Sequence, residues 1–159
     1  MAGATGWKAG MRFHLIDRID EWEPSKSIVA RKVTSYSEEY WEDVGGELRM
    51  PPPFVLEALC QAGTWLIMIT TDRRKRAALL SVGTVSWHRD VRPGDVLVME
   101  GRCDSFGEDT AVVSGQVTVD GETILEASDV MCALIDADDL ADLEDTERLQ
   151  TMLTRAQDG

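Results

Sequence analysis

One stretch of this chain, residues 54–71, is apolar on nearly every side, and it limits what the rest can fold into. Three prolines stand directly before it, at positions 51–53. Proline suits the first turn of a helix, because the amide hydrogens there have no intrahelical partner. A helix over residues 51–71 that lacks a polar face is expected to be buried on every face. The remaining elements must therefore cover it on most sides.

The residues before this helix predict two strands and an irregular segment. A strand is expected within residues 13–23, and the alternation of residues 27–35 predicts a second strand with a mixed face. Residues 36–50 show no period and carry several acidic side chains. We therefore expect a loop there, with a short helix around residues 38–43.

The residues after the helix alternate in the manner of successive antiparallel strands. The predicted strands lie at residues 77–87, 96–103, 110–119 and 122–135. Asp120-Gly121 is a strong signal for a hairpin between the last two. One apolar helix followed by these strands predicts an α+β fold, in which a curved antiparallel sheet wraps around one central buried helix. Because a single curled sheet leaves one face open, we expect a dimer through edge strands.

The length of the chain indicates its domain organisation, and its net charge limits the binding partners that it can have. With 159 residues, the chain is expected to form one domain. We place this domain at residues 12–136, between a flexible N-terminus at 1–11 and an acidic C-terminal tail at 137–159 that is expected to be helical. The formal net charge of −13 argues against nucleic acid or an anionic membrane surface as the main partner.

The cysteines and the hydropathy indicate the compartment. Cys60, Cys103 and Cys132 are odd in number and lack a CxxC spacing, so we expect free thiols in a reducing compartment. Residues 1–10 lack the apolar core of a secretory signal, and the apolar run at residues 65–69 is far too short to span a bilayer. These features predict a cytoplasmic protein.

Four motifs follow one another along the sequence. Residues 13–19 are FHLIDRI, and Met50-Pro51 is followed by VLEALCQ at 55–61. Residues 85–95 combine Trp87-His88-Arg89 with a Pro-Gly-Asp turn, and Val119-Asp120-Gly121 is followed by Glu126-Ala127. In this order, over residues 12–135, the motifs resemble the β-hydroxyacyl-acyl carrier protein dehydratases.

The resemblance implies a hot-dog fold, assembled as a homodimer or as a heterodimer with another hot-dog subunit. It also implies 3-hydroxyacyl or enoyl substrates, held as thioesters on an acyl carrier protein or coenzyme A, in fatty-acid or polyketide synthesis. In that family a histidine and a glutamate from two subunits remove water from the substrate. No cofactor and no metal is expected, since the two histidines of this chain lack partners at metal-ligand spacing.

The glutamate of the family corresponds to Glu57, seven residues after Met50. The residues support this assignment independently, because a carboxylate in the second turn of an apolar helix costs several kcal/mol unless it is paired or neutralised. Its pKa is then expected to be raised, which suits acid–base catalysis. Gln61, four residues on, shares the same helix face. The alternative is a hydrogen-bonded Glu57–Gln61 pair that lies in the core without a catalytic function.

The histidine of the family corresponds to Asp43, seven residues before Met50. Two interpretations stay open. Asp43 either faces Glu57 across a dimer as a second carboxylate that supports acid–base chemistry or activates water, or it is a solvated loop residue. His14, which replaces an apolar residue of the family, and His88, which is expected at a surface, are the remaining candidates for a catalytic imidazole.

The start of the helix also departs from the family. A glycine there lends its backbone N–H to the thioester carbonyl, and this chain has Pro52 instead, which has no N–H. The first free amide is expected at Phe54. The resemblance assigns Pro52, Phe54 and Ala58 to substrate binding. Loss of one such donor costs roughly 3 kcal/mol in the transition state.

Basic residues form islands in this acidic chain. They are Arg73, Arg74, Lys75, Arg76, Arg89 and Arg92. Acyl carrier proteins are acidic, so the arginines are candidates for a carrier-docking surface. The alternative is a charge cluster that complements the carboxyl end of the helix dipole.

Three functions remain open from the sequence. The first is a dehydratase-like protein that acts on carrier-bound 3-hydroxyacyl or enoyl chains with an atypical site. The second is an acyl thioesterase that uses Asp43 or Glu57 to activate water. The third is a non-catalytic hot-dog subunit that pairs with an active partner, and the absence of both the histidine and the glycine amide favours it.

Overall fold

The computed structural model describes residues 14–139 and 143–154. Its strands are β1 (Arg18–Glu23), β2 (Ser27–Val33), β3 (Glu42–Val44), β4 (Glu47–Arg49), β5 (Lys75–Trp87), β6 (Val96–Phe106), β7 (Thr110–Val119) and β8 (Glu122–Asp136). Its helices are α1 (Pro52–Thr70) and α2 (Leu143–Thr154), with a 3-10 turn at Ala137–Asp139. The helix and the four strands predicted after it are confirmed, with ends that differ by at most a few residues.

Six strands form one antiparallel sheet in the order β1-β2-β6-β7-β8-β5, and β3 and β4 form a separate hairpin. Along the strands, buried side chains alternate with exposed or half-buried ones, as in β2 with Ile28 and Ala30. The buried set faces α1, which contacts β2, β5, β6, β7 and β8. The predicted curved sheet around one helix is therefore confirmed.

Two glycines let α1 and the sheet approach closely. A Cβ at Gly63 of α1 would lie 3.3 Å from Val113 of β7. A Cβ at Gly115 would lie 2.9 Å from the Leu59 side chain of α1 and 2.3 Å from the carbonyl oxygen of Glu100. Any larger residue at Gly115 requires the backbone or the helix to move.

The prediction that α1 is buried on every face is wrong. Pro53 and Glu57 are exposed, and Leu56, Cys60, Gln61 and Thr64 are only partly buried. These positions recur three or four residues apart, so they form one stripe along the helix. With 19 residues and a mean hydropathy of 1.3, α1 is also long and apolar enough to cross a membrane. The core helix of a wrapped domain has the same composition, and half of α1 is buried inside the domain.

The short helix predicted around residues 38–43 is absent: residues 38–41 are turn or irregular, and residues 42 and 43 belong to the β3–β4 hairpin. Its turn contains Gly45 and Gly46 at φ 66° and 90°, the left-handed region that glycine enters without strain. After the hairpin, the buried Met50 donates its N–H to the carbonyl of Val91 at 2.9 Å, which fixes where α1 begins.

Within the predicted acidic tail, α2 packs against β1, one of the two edge strands of the sheet. Leu153 of α2 is buried in the core, and Thr146 accepts a hydrogen bond from Arg76. The predicted flexible N-terminus, residues 1–11, lies outside the described residues.

Candidate active site

Gln61 links the start of the chain's described part to Glu57. The Leu15 N–H donates to Gln61 Oε1 at 2.8 Å, and Gln61 Nε2 donates to Glu57 Oε1 at 3.1 Å. Because a backbone N–H can only donate, it requires the oxygen of the Gln61 amide to face Leu15. The amide nitrogen therefore faces Glu57 and holds its carboxylate. The hydrogen bond between the two predicted site residues is present, but Glu57 is exposed, so its predicted burial is wrong in the single chain.

The first turn of α1 offers few amide hydrogens. Pro51 is the N-cap residue, and Pro52 and Pro53 follow it. The Phe54 N–H donates to the Pro51 carbonyl at 2.9 Å, so the prediction that it is free is wrong. Phe54 packs edge-on against Tyr40, with 5.9 Å between the ring centroids, and Ala58 is fully buried. Pro52 is partly buried beside them.

Asp43 lies in β3 and is exposed. Its Oδ1 accepts the Gly46 N–H at 2.8 Å across the tight turn of the hairpin. This contact gives Asp43 a structural function, as in many turns that begin with aspartate. It also fits the interpretation of Asp43 as a loop residue, which the sequence left open.

The two histidines lie in different places. His88 follows β5, and its Nε2 lies 3.0 Å from Glu126 Oε2, with the His88 side chain 44% exposed. His14 is exposed and directly precedes Leu15, whose amide contacts Gln61. His14 is thus the histidine that stands next in the chain to the residue that contacts Gln61.

The first arginine island, which consists of Arg73, Arg74 and Arg76, lies after α1 and contacts α2 and the C-terminal end of α1. Arg73 donates to Gln150 at 3.3 Å, Arg74 donates to the carbonyl of Thr71 at 2.9 Å, and Arg76 donates to Met68 and Thr146. Arg73 and Arg76 therefore hold the C-terminal helix against the domain.

The second arginine island lies at the other end of α1. Arg89 pairs with Asp95 at 3.2 Å and with Glu122 at 3.3 Å, and Arg92 pairs with Glu47 at 2.8 Å. The carbonyl of the adjacent Val91 accepts a hydrogen bond from the N–H of Met50, which stands just before α1. Since the 19 residues of α1 span about 28 Å, one chain does not bring the two islands together.

A small cavity of about 50 Å³ lies between α1 and the sheet. Its walls are mostly apolar and include Leu59, Cys60 and Thr64 of α1, Leu79 of β5, and Val130 and Cys132 of β8. It begins one helical turn from Glu57 and reaches the edge strand β5. Neither this cavity nor the Leu15 contact was predicted from the sequence. The one local indication of an apolar surface near Glu57 was Cys60, three residues further along the same helix.

We expect Cys60 to react slowly with alkylating agents at neutral pH. Burial, followed by the nearby Glu57 carboxylate and Cys132, raises the pKa of the Cys60 thiol to about 11. Only the thiolate reacts, so the rate of iodoacetamide labelling should keep rising until the pH passes about 11. Peptide mass spectrometry on intact protein labelled at increasing pH measures this rate, with Cys60→Ser as the blank. A rate that levels off near the pKa of a free thiol would contradict the burial of Cys60.

Comparison with known proteins identifies the family. The FabA-like domain family matches residues 8–128. The 3-hydroxyacyl-[acyl-carrier-protein] dehydratase FabZ of Roseiflexus sp. (strain RS-1) is 32% identical over 124 residues, covering 73% of this chain and 87% of that protein. The enzyme of the same name from Clostridium acetobutylicum is 31% identical over 115 residues, covering 71% of this chain and 82% of its own.

Solved structures with the same fold are more distant in sequence. A Streptococcus mutans protein bound to acetyl-CoA has a TM-score of 0.62 at 17% identity, covering 82% of this chain and 97% of that chain. A thioesterase of Haemophilus influenzae has a TM-score of 0.60 at 12% identity, covering 79% and 81%. These likenesses establish the hot-dog fold. Together with the sequence matches over most of its length, they lead to one conclusion: this chain belongs to the FabA-like family of hot-dog proteins.

Proposed function

We propose that this protein removes water from 3-hydroxyacyl chains carried as thioesters by an acyl carrier protein, in fatty-acid synthesis. The observation that carries the proposal is the Glu57 carboxyl group, held by Gln61 one helical turn from an apolar cavity. The relatives that are about one-third identical are dehydratases of this kind by name, which supports the same substrate class. The thioesterase structures share only the fold and favour no other reaction.

The geometry suits elimination of water. The acyl chain would follow the apolar walls of the small cavity between α1, β5 and β8, which would have to part to admit it, and its thioester end would then lie near the second turn of α1. Glu57 stands there with one carboxylate oxygen accepting from Gln61, and within the described part of the chain the other oxygen remains available to a substrate hydroxyl. A positioned carboxyl group that exchanges a proton with the reacting group contributes roughly 10²–10⁴-fold to the rate.

The proposal includes a homodimer formed through β5. One edge strand of the sheet, β1, is packed against α2, whereas β5 pairs only with β8 among the strands that the structure describes. Leu79, Leu80 and Val85 of β5 are 56%, 57% and 42% exposed. A long apolar edge strand of this kind is a template for pairing with another strand. An antiparallel β5–β5 contact would continue the sheet and bring a second chain toward the uncovered stripe of α1.

Leu80→Lys should weaken this dimer. Each dimer loses the leucine twice because the interface is symmetric. Burial of one leucine contributes roughly 1.5–3 kcal/mol, so the loss of two should raise the dissociation constant by about a hundredfold or more. Analytical ultracentrifugation over a dilution series measures it. Met152→Lys on α2 is the matched control, because Met152 is 55% exposed and Leu80 is 57% exposed. Equal dissociation constants for both variants would place the interface elsewhere.

Carrier docking and the compartment are part of the proposal. In the dimer, the islands at the two ends of α1 from different chains would flank one site entrance. Arg92 is 62% exposed at its side chain and is the most accessible guanidinium of the second island, so it is the candidate for contact with an acidic carrier. We place the reaction in the cytoplasm.

The direct test is to incubate the purified protein with a 3-hydroxyacyl-acyl carrier protein and follow the intact mass of the carrier. Loss of one water supports the proposal. Loss of the whole acyl group with release of the free carrier thiol would replace it by a thioesterase that uses Asp43 or Glu57. An unchanged carrier would refute both and leave the non-catalytic subunit, whose partner would then be sought by co-purification with a histidine-bearing hot-dog protein.

A further inference from the structure

We propose that His14 is the second catalytic group of this site, and that it acts beside Glu57 of the same chain. This inference rests on the proposed dehydration. It assigns the imidazole to a position where the family has an apolar residue, while the family's own histidine position holds Asp43. The two groups would then come from one chain.

The backbone contact at Leu15 places His14 at the site. Leu15 N lies 2.8 Å from Gln61 Oε1, and only two covalent bonds separate this nitrogen from the Cα of His14. With bond lengths of about 1.5 and 1.3 Å, the His14 Cα lies within roughly 5 Å of Gln61 Oε1. Gln61 in turn lies 3.1 Å from Glu57. An imidazole on this Cα is therefore within reach of a substrate bound against Glu57.

The side chain is free to take that position. His14 is exposed, so no packed neighbour determines its rotamer. Glu57 and the partly buried Cys60 and Gln61 belong to the same uncovered stripe of α1. A substrate lying along this stripe would have Glu57 on the helix side and His14 on the side of the segment that leads into β1.

Other described groups suited to accept a proton have different functions. His88 pairs with Glu126 after β5, and Asp43 Oδ1 accepts the Gly46 N–H in the hairpin turn. The thiol of Cys60 stays protonated at neutral pH, because burial raises its pKa to about 11. Within the part of the chain that the structure describes, His14 is thus the imidazole beside Glu57.

The chemistry divides into two proton transfers. The neutral imidazole of His14 takes the proton from C2 of the 3-hydroxyacyl thioester, and the electron pair of that C–H bond forms the C2=C3 double bond. The C3–O bond breaks, and the leaving hydroxyl takes a proton from the Glu57 carboxylic acid and departs as water. The products are the enoyl thioester, protonated His14 and the Glu57 carboxylate. Proton exchange with solvent then restores both groups.

The test compares His14→Leu and His14→Gln with the wild-type protein on a 3-hydroxyacyl-acyl carrier protein. Leucine restores the apolar character that the family has at this position, and glutamine keeps a polar side chain that cannot transfer a proton. We expect kcat/KM to fall by on the order of 100-fold or more in both variants. His88→Gln is the control and should keep the wild-type rate.

The outcomes separate this inference from the proposed function. Turnover by the wild-type protein with undiminished rates in both His14 variants would overturn the assignment of His14 and leave the dehydratase intact. A wild-type protein without turnover would overturn both. Mixed dimers of His14→Leu and Glu57→Gln should stay inactive, because neither chain carries both groups. Recovery of activity on mixing would show that the groups act across subunits and would overturn the same-chain site.

Discussion

Glu57→Gln should lower kcat for dehydration by on the order of 10²–10⁴-fold, with little change in KM. The amide has nearly the shape of the carboxyl group but can neither give nor take the proton that elimination requires. Its oxygen can still accept the hydrogen bond from Gln61 Nε2, which is 3.1 Å long in the wild-type protein. The variant should therefore fold and bind substrate normally. Initial rates with a 3-hydroxyacyl-acyl carrier protein, beside thermal unfolding of both proteins, measure the two effects.

Asp43→Asn is the informative control for this result. Asparagine keeps an oxygen that can accept the Gly46 N–H, now 2.8 Å from Asp43 Oδ1, so the hairpin should be preserved. If Asp43 serves only the turn, its variant keeps most of the activity while Glu57→Gln loses it. The reverse pattern, an active Glu57→Gln beside an inactive Asp43→Asn, would move the chemistry to the hairpin and contradict the site proposed on α1.

The parts of the fold that were predicted correctly are those determined by residues that are close together along the chain. The prolines at 51–53 and the apolar residues after them predict α1, because helix initiation and burial leave local patterns. The alternation of residues 110–119 predicts β7 to the residue. Asp120 and Gly121 take φ of 51° and 80°, the two positive values that a tight hairpin turn needs.

Two parts of the fold could not be predicted from local sequence patterns. Strands β3 and β4 have three residues each, too few for an alternation to be recognised. The uncovered stripe of α1 could not be predicted from the sequence for a different reason. Leu56 and Cys60 are apolar whether the helix is covered by its own sheet or by a second chain, so the sequence cannot separate the two cases.

The candidate site depends on contacts that are distant in sequence. Glu57 and Gln61 are four residues apart on one helix, and their pairing follows from helix geometry. Leu15 and Gln61 are 46 residues apart, and only the packing of the β1 entry along α1 brings them together. For that reason the sequence identified Glu57 and Gln61 but gave no indication that Leu15, the residue after His14, contacts Gln61.

Gly115→Ala should be among the most destabilising small substitutions in this chain. The added Cβ would lie 2.3 Å from the carbonyl oxygen of Glu100, 2.9 Å from Leu59 Cδ1 and 3.1 Å from the Cα of Gly101. The first of these is a backbone atom of the paired strand β6, which cannot rotate away as a flexible side chain would. Overpacking in a core costs typically 1–3 kcal/mol, and a clash with backbone belongs at the upper end. We therefore expect a loss of about 3 kcal/mol in the free energy of unfolding, measured by urea denaturation.

Gly107→Ala is the matched control, because the same methyl group there would meet its nearest neighbour, the Thr110 carbonyl oxygen, at 3.4 Å. Substitutions without such contacts usually change stability by less than about 0.5 kcal/mol. The difference between the two variants isolates the clash at Gly115. Equal stabilities would mean that β6 can shift away from β7 at low cost. The Gly101–Gly115 pair would then not fix the position of Leu59, and the cavity beside that residue would be free to change its width with the acyl chain.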